Sequence, residues 1–254
     1  MVSVRDTGPK LRPLRSLAAL LAVAVVMLIS AGCGASNEDE IVVMAASSLT
    51  DAVETVLADH GNVSAVFAGS STLVAQLAEG ASADVLITAD QATMNRATAD
   101  GSVQGVSSVI ASNSLVLATA LGNPGAITEL ADLSRSDLLI GLCAEAVPCG
   151  ALSQQALADA QIEAAPDTLE LNVRALVAKL ALGELDAGLI YRSDALAAGL
   201  PVVEAPQLAG RSNRYHIAAV SAQPSLRVQA LIDDFTAADG DAAMIFADQG
   251  FGPP

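Results

Sequence analysis

The chain is built from apolar blocks whose period keeps changing. Ile41-Val42-Val43-Met44-Ala45-Ala46 is an unbroken apolar run that ends at two serines, after which Leu49, Val53, Val56 and Leu57 recur at helical spacing. A short continuous run reads as a strand buried on both faces, and the later recurrence as an amphipathic helix. The stretch therefore predicts a strand handing over directly to a helix, with Ser47 or Ser48 at the N-cap. The pattern returns. Residues 63–68 form a second apolar strand, followed by Gly69-Ser70-Ser71-Thr72 and a helix through Leu73 and Leu77. Residues 83–90 read as a strand ending in Thr88 and Asp90, again leading into a helix. Further strands are expected over 114–119, 138–142, 187–191 and 217–220, and helices over 150–160, 172–182, 226–237 and 240–247, with a turn at Asn123-Pro124-Gly125. Repeated alternation of short apolar strands with helices predicts an α/β protein with parallel sheets covered by helices.

The junctions carry the candidate chemistry. The first N–H groups of a helix have no partner within it, and the helix dipole places partial positive charge there. One such turn can hold an anion but is common in α/β proteins. Its recurrence at small or hydroxyl-bearing turns is what points to a site.

The first forty residues follow other rules. Arg5, Lys10, Arg12 and Arg15 precede an uncharged apolar run, Leu17 to Ile29, and then Ser30-Ala31-Gly32-Cys33. This resembles a bacterial lipoprotein signal over residues 1–33, with Cys33 as the lipidated first mature residue and residues 34–40 as a polar tether. Ser30 departs from the aliphatic residue commoner at that position, so export with ordinary cleavage, or a retained anchor, are the alternatives. The apolar run is short for a membrane span.

Composition narrows the partners. Beyond Gly32 the chain keeps 8 basic against 27 acidic residues, a net charge of −19. That argues against nucleic acid, which needs a basic surface, and against long-range attraction of any anion. An anion site would have to be local, made of N–H groups and hydroxyls. With no Trp and six aromatics in all, an aromatic-lined sugar groove or base-stacking platform is not expected.

Enzymatic readings are thin. His60 and His216 are the only histidines, and a zinc site needs more nitrogen or sulfur ligands. Neither a nucleophile elbow, a Walker A sequence nor a dinucleotide fingerprint occurs. Cys149 lacks any signal for a paired base, and Asp84 and Asp90 read as loop or helix caps. No catalytic residue, no cofactor and no direct metal-cation ligand is assigned. With Cys33 committed to lipid and the rest of the chain in an oxidising compartment, Cys143 and Cys149 are expected to form a disulfide.

Five stretches in order carry a family resemblance: Ala45-Ala46-Ser47-Ser48-Leu49-Thr50-Asp51-Ala52, Phe67-Ala68-Gly69-Ser70-Ser71-Thr72-Leu73, Ala83-Asp84-Val85-Leu86-Ile87-Thr88-Ala89-Asp90, Val147-Pro148-Cys149-Gly150, and Gly188-Leu189-Ile190-Tyr191-Arg192-Ser193-Asp194-Ala195. Together they resemble the periplasmic molybdate-binding proteins of bacterial ABC transporters, over residues 41 to 252. The resemblance implies a two-lobed type II solute-binding fold, each lobe a sheet flanked by helices. One lobe would hold residues 41–115 and 216–254, the other 116–215. It implies a monomer that binds molybdate, and tungstate with it, in the cleft and delivers it to an ABC permease from the outer face of the cytoplasmic membrane. The ligand groups carried over are the hydroxyls and amides of Ser48 and Ser70, the amides of Cys149 and Val173, and the Tyr191 hydroxyl. Gly69 departs from a common Ser, and Cys149 from Ala. Arg174 and Arg192 are read as rim or surface residues, because the family's pocket is neutral. The alternatives are a binding protein for another tetrahedral oxyanion such as sulfate, or an exported enzyme of the same fold.

Physical chemistry agrees with the implied ligand. A fully deprotonated tetrahedral dianion offers acceptors only, and turns that present only donors match it. Phosphate near neutral pH keeps a proton that such a cage would leave without an acceptor. Sulfate passes this test and differs only in size.

Overall fold

The computed structural model describes residues 40–254. The expected signal, Cys33 and the tether up to residue 39 lie outside the described residues. Among the described residues nine strands alternate with helices: β1 (Ile41–Ala46), β2 (Val63–Ala68), β3 (Val85–Thr88), β4 (Ser108–Thr119), β5 (Ile140–Cys143), β6 (Thr168–Glu170), β7 (Ala187–Tyr191), β8 (Val202–Val203) and β9 (Ser212–Ala219). The α-helices are α1 (Thr50–Leu57), α2 (Ser70–Ala78), α3 (Gln91–Ala99), α4 (Pro148–Asp159), α5 (Val173–Leu182), α6 (Arg192–Ala198), α7 (Leu226–Thr236) and α8 (Asp241–Asp248). Among the described residues no helix is long and apolar enough to cross a membrane.

The strands join in the order β2-β1-β3-β9-β4-β7-β5-β6, with β8 also on β4. The long strand β4 divides this sheet into two halves. Its first part, Ser108 to Ser114, pairs with β9, and its second part, Leu115 to Thr119, pairs with β7. Each half is covered on both faces. Leu49, Val53, Phe235 and Phe246 pack on one face of the first half, Leu73, Leu77 and Met94 on the other. In the second half Leu176, Leu180 and Ile190 lie on one face and Leu117, Leu142 and Leu189 on the other. Most of these side chains are fully buried, each worth about 1.5–3 kcal/mol relative to exposure. Two helix-covered half-sheets joined by crossing strands make the two-lobed α/β arrangement.

The expectation of parallel sheets holds only in part. The β1–β2, β1–β3, β5–β6 and β5–β7 pairs are parallel. The pairs through β4 and β9 are antiparallel. The chain leaves the first half along β4 and returns along β9, so two neighbouring crossing strands must run in opposite directions. The first half of β4 did not read as strand because Ser108, Ser112, Asn113 and Ser114 interrupt its apolar pattern.

Local details at the first junction also differ. Strand β1 passes into a 3-10 turn, Ser47–Leu49, before α1 begins at Thr50, and neither serine caps a helix through its side chain. Ser70 is the first residue of α2, with Gly69 at the N-cap position. The Ser48 and Ser70 hydroxyls are used elsewhere.

Candidate ligand-binding site

Several chain segments meet at the carboxyl ends of parallel strands, where open α/β sheets bind ligands. From the first half come Ser47 and Ser48 after β1, Gly69 and Ser70 after β2, and Ala89 after β3. From the second come Val147 to Cys149 beyond β5, Leu171 to Val173 after β6, and Tyr191 at the end of β7. They enclose a small cavity with room for the centre of a water-sized sphere over about 20 Å³, inside about 230 Å³ of empty space. One water needs roughly 10–15 Å³ by that measure. The space suits a small inorganic ligand rather than a sugar or amino acid. All five residues expected from the sequence, Ser48, Ser70, Cys149, Val173 and Tyr191, line it, and no lining side chain is charged.

The helix starts supply backbone donors. Helix α4 opens with Pro148, which has no N–H, so the first N–H of its opening turn belongs to Cys149. The Cys143–Cys149 disulfide holds this turn to the end of β5, with the two Cα atoms 5.8 Å apart. Gly150 lies so close to the Ala144 carbonyl that any Cβ would overlap it. At α5 the Asn172 side chain accepts from the Ala175 N–H at 2.9 Å. That cap leaves the N–H of Val173, the first helical residue, without an acceptor in the helix.

The hydroxyls have a defined polarity. Ser70 Oγ accepts from the Ala89 N–H at 3.0 Å. Tyr191 Oη accepts from Asn213 Nδ2 at 2.6 Å. Ser48 Oγ lies 2.8 Å from Tyr215 Oη, which itself accepts from Asn113 Nδ2 at 3.2 Å. Tyr215 is wholly buried, and Ser48 Oγ is the one acceptor among these partners for its proton. Tyr215 therefore donates to Ser48. The hydroxyls of Ser48, Ser70 and Tyr191 thus each receive a proton donor from behind and keep their own O–H for the cavity. Burial, with Tyr215 close by, pushes the Tyr191 phenol well above its ordinary pKa, so it stays a neutral donor.

The other residues weighed from the sequence fall outside the cavity. Asp84 accepts from the Val42 N–H at 2.8 Å, and Asp90 caps α3 by accepting from Thr93 at 2.7 Å. His60 pairs with Asp234 at 3.0 Å, and His216 is buried within β9. Arg192 is exposed. Arg174 spans the mouth between Asp51 on α1 and Asp194 on α6. Its Nε lies 2.9 Å from Asp194 Oδ1, near enough to pair but off the hydrogen-bond line. A larger open cavity of about 530 Å³ adjoins this cluster. Its lining carries charge, with Asp51, Arg174 and Asp248 among its residues, unlike the small cavity. Tyr215, Asn113 and Asn213 were not singled out from the sequence as site residues. An Asn beside each crossing strand's apolar stretch, at 113 and 213, was the available signal.

The fold and this cleft between half-sheets define a solute-binding protein. The chain belongs to the bacterial extracellular solute-binding protein family, whose model matches residues 41–252. It is 38% identical over 224 residues to the molybdate-binding protein ModA of Mycobacterium tuberculosis, covering 84% of this chain and 85% of that protein. To the Escherichia coli molybdate-binding protein ModA it is 30% identical over 252 residues, covering 91% and 96%. Among solved structures, the Azotobacter vinelandii periplasmic molybdate-binding protein superposes with a TM-score of 0.68 at 18% identity, covering 85% of this chain and all (100%) of that one. The sulfate-binding protein SubI of Mycobacterium tuberculosis superposes with the same TM-score, 0.68, at 16% identity, covering 84% and 86%.

Proposed function

We propose that the chain binds one molybdate, or tungstate, between its lobes, performs no chemistry on it, and hands it to an ABC permease. One observation carries this reading: an uncharged cavity in which Ser48, Ser70 and Tyr191 each accept a hydrogen bond from the protein and are left to donate inward. Such a lining solvates a dianion through neutral dipoles that need no reorganisation. It gains nothing from fixed cations, which agrees with the strongly acidic composition. The ModA names of the sequence relatives support molybdate over other oxyanions. Sulfate is the second reading, because the sulfate-binding neighbour shares the fold and sulfate too is fully deprotonated. On this reading the lobes are residues 41–115 with 216–254, and 116–215. The protein acts as a monomer tethered through diacylated Cys33.

Isothermal titration of residues 34–254 with molybdate, tungstate, sulfate and phosphate tests the ligand. Molybdate and tungstate are expected to bind at one site per chain, and sulfate and phosphate much more weakly. A ligand held only by the folded protein adds RT ln(1 + [L]/Kd), about 4 kcal/mol at a thousandfold excess over Kd, which a melting curve reads independently. Equal or tighter binding of sulfate would move the protein to the second reading, and no heat from any of the four would remove the site. In cells, Cys33→Ser should release the protein from the membrane without altering binding. A wild-type protein found wholly soluble and unmodified would end the tether.

A further inference from the structure

Behind the cavity, two asparagines face each other across the crossing strands. Asn113 on β4 and Asn213 on β9 are direct partners in the antiparallel register, and both are buried. A strand interior is a costly place for an amide unless its hydrogen bonds are used. Here each amide reaches a different tyrosine. Asn213 donates to Tyr191. Asn113 donates to Tyr215, and through it acts on Ser48. The orientation of Asn113 is fixed from its other side: its Oδ1 faces the Ser193 N–H at 3.4 Å, and its Nδ2 also donates to Ser193 Oγ at 2.7 Å. The amide N–H is therefore turned toward Tyr215. The contacts that reach Tyr191 from Asn213, and Ser48 from Tyr215, are side-chain hydrogen bonds.

We propose that Asn113, Tyr215 and Asn213 are positioning residues that make the site count protons on its ligand. By filling a lone pair on Tyr191 and on Ser48, they leave those oxygens with a proton to give and restrict their capacity to accept one. An oxyanion without a proton is fully served. One that carries an O–H finds the acceptor capacity of these two oxygens already partly taken, and so is served less well. Selectivity between a bare and a protonated dianion then resides in residues that do not line the cavity. The inference rests on the oxyanion reading given above and assigns its specificity.

The test compares molybdate with phosphate at about pH 8, where phosphate is chiefly the singly protonated dianion. Both ligands then carry the same charge, so general changes in field or folding weaken them together, and their affinity ratio isolates the proton. Replacing the back-side donor frees a lone pair. In Asn213→Ala and Tyr215→Phe the molybdate-to-phosphate ratio should fall several-fold. In Asn213→Asp the new carboxylate would draw the Tyr191 proton away from the cavity, and the ratio should fall by roughly tenfold or more, the scale of one unsatisfied buried hydrogen bond. Melting curves identify any variant that fails to fold; Tyr215→Phe, which keeps the ring, carries the test in that event. Both affinities falling together with an unchanged ratio would overturn the inference while leaving molybdate binding in place. A wild-type protein that binds neither ligand would overturn the function reading and this inference with it.

Discussion

Ser70 contributes two groups to one purpose: as the first residue of α2 it offers an N–H, and its hydroxyl, held by the Ala89 N–H, is directed by the neighbouring strand end. Removing that hydroxyl leaves the backbone donor in place, so the loss should be partial. Ser70→Ala and Ser48→Ala are each expected to weaken molybdate binding by about 1–3 kcal/mol, and Tyr191→Phe by a similar amount. Arg192→Ala should change affinity little, since the side chain is exposed. Titration calorimetry checks the set, and a Tyr191→Phe variant with unaltered affinity would remove the phenol from the site. The same scale shows what the sequence carried. Ser48, Ser70 and Tyr191 were legible because each stands at the end of an apolar strand, inside a short pattern that resembles a known family. Tyr215 and Asn113 were not, because they lie 167 and 65 positions from Ser48, and Tyr215 meets Ser48, with Asn113 behind it, only after the crossing strands pair.

At the scale of elements, the start of α4 is the most constrained turn in the cleft. Pro148 fixes its first residue, Gly150 lets it press on Ala144, and the disulfide ties Cys149 to β5. Pairing of these cysteines followed from the compartment that the leader implies. The crowding that demands Gly150 could not be read from spacing, because it depends on where the loop from β5 returns. Gly69 is a parallel case. A side chain there would run into the Leu171 carbonyl across the cleft, so the Ser common in the family does not fit this closed arrangement without a shift. Closing so short a loop by the disulfide should remove about 2–2.5 kcal/mol of unfolded-state entropy. The double variant Cys143→Ser/Cys149→Ser should lose stability of that order in denaturant unfolding. Its affinity should drop only modestly, because the Cys149 contribution is a backbone N–H. Two titratable thiols in the denatured, unreduced Cys33→Ser protein would sink the disulfide. Helix α6 and the first half of β4 were missed for a related reason. Their patterns are short or broken by polar residues that serve partners on other elements.

Over the whole molecule, the cleft is bridged by charge as well as by ligand donors. Arg174, from the second half, reaches Asp51 on the first and Asp194 behind it, and Ser71 donates to the Ala146 carbonyl at 2.8 Å across the same gap. Asp51 is 46% exposed and its pair with Arg174 is screened, so Asp51→Ala should weaken ligand binding by at most about fivefold. Asp194 differs, being fully buried. Burial drives its carboxyl up to about 7, against the lowering effect of Arg174. The sign of the pH effect follows. In the unfolded chain this group titrates near an ordinary aspartate, about 3.9. Between that value and about 7 the folded protein binds more protons than the unfolded one. Stability contributed by the protonated group is thus complete below the unfolded pKa and is lost as pH rises through the folded pKa. Melting temperature should decline from about pH 4 to 7 and flatten above it as far as this group contributes. Asp194→Asn holds the neutral form at all pH and should remove that part of the slope, leaving only the decline due to the general negative charge. Differential scanning calorimetry of the two proteins across this range measures the difference. Parallel slopes in wild type and variant would show that Asp194 is ionised throughout, with Arg174 offsetting its burial in full.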